Sequence, residues 1–213
     1  MRMRRVQWAI DYLEQAKCRI IDPEKLKGKW KTTLNTDVLH VEIGCGMGNY
    51  SLQMSKMYPE QGFVAIEKND TAAGKAAKKY DEDPDKGKLL FIHGDAMQID
   101  EWFDEKEVDV IHLNFSDPWP KNRNAKRRLS SHSFLEQYKH ILSENGTIQM
   151  KTDNSKLFSY SLLEFQNAGF KMKEIDVDYR SITHDEDAFT EYEQKFVEKG
   201  QPIYRAVWTD NES

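Results

Sequence analysis

From Val38 onward, short apolar runs alternate with amphipathic stretches. "VLHVEIG" is a β-rich run closed by glycines, "NYSLQMSKMY" carries its apolar positions at helical spacing, and "GFVAIE" is a second run. Strand, helix and strand within about thirty residues predict a βαβ unit. Next come "DTAAGKAAKKYDED", an Ala/Lys-rich helix capped by Asp70, and two more strands, "KLLFIHG" and "VDVIHLNF". "SFLEQYKHIL" reads as helix, "GTIQMKTD" as strand, and "SKLFSYSLLEFQNAG" as a helix closed by Gly169. "FKMKEIDVDYR" and "PIYRAVW" close the chain as strands. The alternation predicts an α/β fold with a doubly wound, mostly parallel seven-stranded sheet. The last two strands, with no helix between them, predict an antiparallel edge strand.

Residues 1–36 break this pattern. They are charged and irregular, with one amphipathic stretch from Trp8 to Ala16 and a lysine-rich piece, "DPEKLKGKWK", that reads as loop. The expectation is a basic N-terminal arm or lid over 1–36 and a main domain over 37–213.

With 213 residues, 38% hydrophobic and 11% aromatic, the chain suits one compact domain. Its formal net charge of -5 means that attraction to a polyanion must come from a local cluster. Cys18 and Cys45 have neither disulfide-framework nor metal-ligand spacing, and no metal site is expected. "MRMRRVQW" leads into no signal-type apolar stretch, and no run approaches ~18 apolar residues. A soluble cytoplasmic protein without a membrane partner is therefore expected.

Candidate chemistry gathers at the strand ends. "EIGCGMG" sets Gly44, Gly46 and Gly48 between a strand and a helix, where glycines let the backbone approach a ligand at the unpaired N–H groups of the helix start. The position three after Gly46 is Asn49, so the dinucleotide fingerprint is not met. Glu42, just ahead of the loop, would repel a pyrophosphate and attract a sulfonium, which favours S-adenosylmethionine over NAD. Glu67 ends the second strand as a candidate ribose acceptor, and Asp95 ends the third near an adenine amine. Asp117 follows the fourth strand, inside "LNFSDPWPKNRNAKRRL". Pro118 and Pro120 stiffen its turn and aim Trp119 for stacking on a base. Lys121, Arg123, Lys126, Arg127 and Arg128 supply a phosphate-binding surface beside it.

Together "EIGCGMG", "AIEK", "GDA", "LNFSDPWPKNRNAKRRL", "KTDN" and "TEYEQKF" resemble the bacterial tRNA (guanine-N7-)-methyltransferase family over essentially the whole chain. The resemblance implies a Rossmann-like class I methyltransferase fold, S-adenosylmethionine as methyl donor, and N-7 of the guanine at position 46 of the tRNA variable loop as acceptor. Carried across by position, it implies cofactor contacts at Glu42, Gly44, Gly46, Glu67, Asp95 and Asp117, with Asp117 also catalytic. It implies substrate contacts at Lys121, Asp153, Thr190, Glu191, Tyr192 and Glu193. RNA contacts fall on Arg123, Asn124, Ala125, Lys126, Arg127 and Arg128, with Asn124 standing where relatives often carry His. The rival readings are a nucleic-acid methyltransferase acting on an exocyclic amine, a non-catalytic RNA-binding module on the same fold, and, third, an NAD dehydrogenase. Oligomeric state stays open, with a homodimer among the options.

Overall fold

A computed structural model describes residues 4–210 of the chain; 1–3, the start of the expected arm, and 211–213, the end of the expected main domain, lie outside the described residues. In chain order the elements are α1 (Gln7–Tyr12), β1 (Arg19–Ile20), a 3-10 turn (Pro23–Leu26), α2 (Trp30–Leu34), β2 (Leu39–Ile43), α3 (Asn49–Met57), β3 (Gly62–Glu67) and α4 (Asp70–Glu82). Then come β4 (Lys88–His93), a 3-10 turn (Ala96–Gln98), α5 (Ile99–Trp102), β5 (Val108–Asn114), a 3-10 turn (Asn122–Arg127), α6 (His132–Ile141), β6 (Leu142–Thr152) and α7 (Ser155–Asn167). The chain closes with β7 (Lys171–Asp176), a 3-10 turn (Tyr179–Ser181), α8 (Glu191–Val197) and β8 (Tyr204–Thr209).

The strands form one sheet in the order β1-β4-β3-β2-β5-β6-β8-β7. β8 runs antiparallel to both of its neighbours, β6 and β7, and lies second from that edge. The other pairings are parallel. The eighth strand is β1, a two-residue piece paired with β4 and too short to leave a pattern in the sequence. From β2 the chain winds outward through β3 and β4, then returns to lay β5 against the other side of β2. That reversal makes the ends of β2 and β5 a topological switch point, where open α/β sheets bind ligands.

β2 and β3 read as near-continuous apolar runs because every residue of both is buried. Asn69, not Asp70, caps α4: its side chain accepts the Ala72 N–H at 3.0 Å. The small face of α4 admits α1 so closely that a Cβ on Gly74 would meet the Ala9 carbonyl oxygen at 1.7 Å.

The segment expected as an arm or lid is packed into the body. Trp30 is fully buried, stacks on Phe103 and donates its indole N–H to the Trp102 carbonyl at 2.8 Å. Glu107 takes the backbone N–H groups of Gly28 and Trp30, both at 2.9 Å, and so pins the stretch expected as loop. Asp81 does the same for Lys17 and Cys18.

Beneath the sheet's switch point lies a chain of buried polar rings. His40 and His112 share a hydrogen bond of 2.9 Å, and the Tyr50 hydroxyl meets the other His112 nitrogen at 3.2 Å. Burial holds His40 down at about 4 and His112 well below the usual range. A histidine that is neutral when folded and basic when unfolded contributes stability that is complete above the unfolded value and is lost as pH falls below it. For His40 alone the loss reaches about 2 kcal/mol at pH 5 relative to neutral pH. Denaturant midpoints measured at pH 7.5 and pH 5 should show this drop, and His40→Phe, which keeps the stack on Phe63, should reduce it by the His40 share while that of His112 remains.

Candidate active site

The glycine loop leaves β2 and enters α3 with Gly44, Gly46 and Gly48 at φ of 78°, 57° and 80°, the left-handed region. A Cβ on Gly48 would lie 2.5 Å from the Tyr80 hydroxyl, so the loop is held tight against α4 there. A Cβ on Gly46 would meet nothing within 4 Å, because that backbone faces an open cleft. The cleft's floor is Glu42, the glycine loop and Asn114, and its opposite wall is Thr190, Glu191 and Tyr192.

Glu42 is buried, with Ser51 Oγ donating to it at 2.5 Å and Asn114 Nδ2 at 3.1 Å. Burial pushes its carboxyl above the usual range, against those two hydrogen bonds. It forms no ion pair among the described residues, so a buried carboxylate lines the cleft without a cation in contact.

Glu67, expected as a ribose acceptor, already accepts one backbone N–H on each oxygen. One accepts the Gly46 N–H at 2.9 Å and the other the Asn69 N–H at 2.7 Å, so the carboxylate braces the glycine loop from behind. Asp95 is exposed on the neighbouring strand end, where it accepts the Met97 N–H at 3.2 Å.

Asp117 leaves the rim after β5, the strand beside β2, exposed and without a hydrogen bond or ion pair among the described residues. Its turn is bracketed by two aromatic residues in the left-handed region, Phe115 at φ 49° and Trp119 at φ 40°. Arg128 locks the turn: Nε donates to the Pro118 carbonyl and Nη2 to that of Trp119, both at 3.0 Å. Its guanidinium lies 4.2 Å from the Tyr160 ring centroid. Arg128, expected as an RNA contact, is only 9% exposed and serves here as a strut of the turn. Lys121, Arg123, Lys126 and Arg127 are exposed, while Asn124 and Ala125 are half-buried. Arg127 covers one face of the half-buried Trp119 at 4.9 Å, so that face is not free to stack on a base.

"TEYEQKF", expected as a loop, holds α8 instead. Thr190 accepts the Glu193 N–H at 2.9 Å and Glu193 accepts the Thr190 N–H at 3.0 Å, a reciprocal cap that the T-x-x-E spacing encodes. Glu193, expected at the substrate, is fully buried and ion-paired to Lys151 and Arg180, so its carboxylate faces away from solvent. Thr190, Glu191 and Tyr192 do reach the cleft, and Lys79 ties Glu191 to α4 at 2.6 Å. Asp153, just past β6, is half-buried, and burial raises its carboxyl. Lys151, Arg180 and Asp187 carry no spacing signal that would have brought them together.

A family model described as "Putative methyltransferase" matches residues 36–206. The tRNA (guanine-N(7)-)-methyltransferase of Oceanobacillus iheyensis is 44% identical over 207 residues, 96% of this chain and 97% of that protein. The enzyme of the same name from Exiguobacterium sibiricum is 41% identical over 207 residues, 96% and 97% of the two chains. Among solved structures, a SAM dependent methyltransferase from Aquifex aeolicus superposes with a TM-score of 0.57 at 12% identity, over 94% of this chain and 97% of that one.

Proposed function

The chain belongs to the tRNA (guanine-N(7)-)-methyltransferase family, and from that membership we propose how its own residues serve the transfer of a methyl group from S-adenosylmethionine to guanine N-7 in tRNA. The observation that carries the assignment of the site is the shared rim. The glycine loop, Glu42 and the Asp117 turn leave the adjacent strands β2 and β5, and the Thr190–Tyr192 wall faces them.

S-adenosylmethionine supplies an electrophilic methyl group on a cationic sulfur. The residues fit such a ligand: the Gly46 backbone is open to the cleft, and Glu42 is a buried carboxylate in need of a positive charge. Glu67 acts through the loop it braces. Glu67→Gln sets an amide NH2 against one of the two N–H groups it now accepts, leaving that donor unsatisfied. S-adenosylmethionine affinity, measured by calorimetry, should fall about tenfold, since about 1–3 kcal/mol rides on such a group.

Guanine N-7 carries a lone pair and no proton, so the acceptor needs no general base. Position and charge remain for the protein to supply. Asp117 is an unpaired carboxylate at the rim, suited to the positive charge the purine gains. Lys121, Arg123, Lys126 and Arg127 form a cationic face on the same turn for the tRNA backbone. The acceptor is the guanine at position 46 of the variable loop.

The acceptor atom is open to direct test. Methylation at N-7 leaves a cationic base whose ring opens on mild reduction, after which aniline cuts the chain. tRNA incubated with the protein and S-adenosylmethionine should yield one enzyme-dependent scission, in the variable loop. Methyl incorporation without a cut would instead assign the transfer to an exocyclic amine.

A further inference from the structure

Behind the cleft wall, four charged side chains from separate parts of the chain close into a ring. Lys151, near the end of β6, reaches Asp187 Oδ2 at 2.6 Å and Glu193 Oε2 at 3.2 Å. Arg180, in the 3-10 turn after β7, reaches the same Asp187 oxygen through Nη2 at 2.7 Å and Glu193 Oε1 through Nε at 2.6 Å. Each cation touches both carboxylates, so the ring is charge-balanced, and all four side chains are at most 10% exposed. The Tyr50 hydroxyl donates to the remaining Asp187 oxygen at 2.8 Å. Burial would raise the Asp187 carboxyl, but Lys151 and Arg180 more than offset it and hold it below the usual range.

The ring also grips backbone. Lys151 and Arg180 both donate to the Ala188 carbonyl, at 3.3 and 3.2 Å, and Arg180 donates to that of Asp187 at 3.1 Å. Glu193 adds the Thr190 N–H. These contacts all converge on residues 187–193, the stretch that carries Thr190, Glu191 and Tyr192 into the cleft. The stretch is also anchored from α3 and α4, where Asn49 Nδ2 donates to the Phe189 carbonyl at 3.3 Å, Met54 Sδ accepts the Ala188 N–H at 3.4 Å and Lys79 pairs with Glu191 at 2.6 Å; the ring is what ties it to β6 and to the turn after β7. A buried ion cluster seldom stabilises a fold more than apolar packing would, whereas removing one partner strands the rest. Its use here is geometric.

We propose that Lys151 and Arg180 are positioning residues for the acceptor base, which set the Thr190–Tyr192 wall against the glycine loop through a charge-balanced clamp on Asp187 and Glu193. The inference rests on the cleft being the methyl-transfer site. Neither side chain lines the cleft, so neither is a catalytic residue.

The test compares Lys151→Met with Lys151→Met/Glu193→Gln. The single variant leaves one cation facing two buried carboxylates. The double variant restores neutrality, and the Gln oxygen can still accept the Thr190 N–H, while its NH2 faces the Arg180 Nε–H that Glu193 now accepts, so the recovery is expected to be partial. The single variant should lose about 100-fold in kcat on tRNA, with KM for tRNA changed less than about threefold, because a displaced wall misorients the base without touching the cationic turn. The stoichiometry of S-adenosylmethionine binding, followed by calorimetry, should stay at one per chain, which separates a displaced wall from a partly unfolded sample. The double variant should recover at least about tenfold of the loss. Wild-type kcat in the single variant, or a double variant no better than the single, would overturn the clamp. If Lys151→Met does not fold, Arg180→Gln with and without Asp187→Asn makes the same comparison. A wild-type protein that makes no N-7 methylguanosine would overturn the proposed function instead.

Discussion

Asp117→Ala should lower single-turnover methylation of tRNA by about 10²–10³-fold, the usual cost of removing one preorganised electrostatic group from a transition state. Thermal unfolding should not move. The side chain is exposed and bonded to nothing among the described residues, so the fold has no stake in it. Its position is fixed by others. Phe115 and Trp119 are bulky residues held at positive φ, a strain of about 1–3 kcal/mol each that persists only where surroundings over-determine it. Those surroundings are visible: the Phe115 N–H donates to the Lys151 carbonyl at 2.8 Å, its ring stacks on Phe196 of α8 at 6.0 Å, and Arg128 holds the carbonyls of Pro118 and Trp119. Asp117→Asn separates charge from shape. If the amide turned over as fast as the carboxylate, Asp117 would not be stabilising charge on the purine.

The strands and helices that bury a whole face were legible from hydrophobic pattern. β2, β3, α4 and α7 fall where the apolar runs and amphipathic periods put them, because there burial decides the structure. The Pro23–Leu34 stretch was not. Its lysines read as solvated loop, yet Trp30 is fully buried, a fact that depends on Phe103, Trp102 and Glu107 far along the chain. α8 was legible in principle, since T-x-x-E before a helix is a local signal, and it was read only for its chemistry. A sequence shows charges but not their partners. Arg128 and Arg127 are adjacent and identical in type, yet one is a buried strut and the other an exposed cation. Glu193, expected as a substrate contact, is fully buried among partners that the sequence does not show. The ring of Lys151, Arg180, Asp187 and Glu193 joins four positions with no common spacing, and only the fold assembles it.

That distinction between strut and free cation decides which charges to remove when testing the grip on tRNA. Arg123, Lys126 and Arg127 are exposed, sit on the 3-10 turn that follows Asp117, and make no salt bridge among the described residues. Neutralising a phosphate releases condensed counterions, so each contact contributes roughly 0.7–0.9 to the slope of log affinity against log salt. Replacing all three by Ala should therefore flatten that slope by roughly 2–3. If affinities converge near 1 M salt, the same slope change weakens tRNA binding at 0.1 M by on the order of 10²-fold. S-adenosylmethionine affinity should hold, because none of these three cations lines the cleft. Arg128 must stay in this variant, since Arg128→Ala would free the carbonyls it holds and let the Asp117 turn relax. A triple variant whose affinity and salt slope both matched the wild type would make these cations a solvated face and place the grip on tRNA elsewhere on the protein.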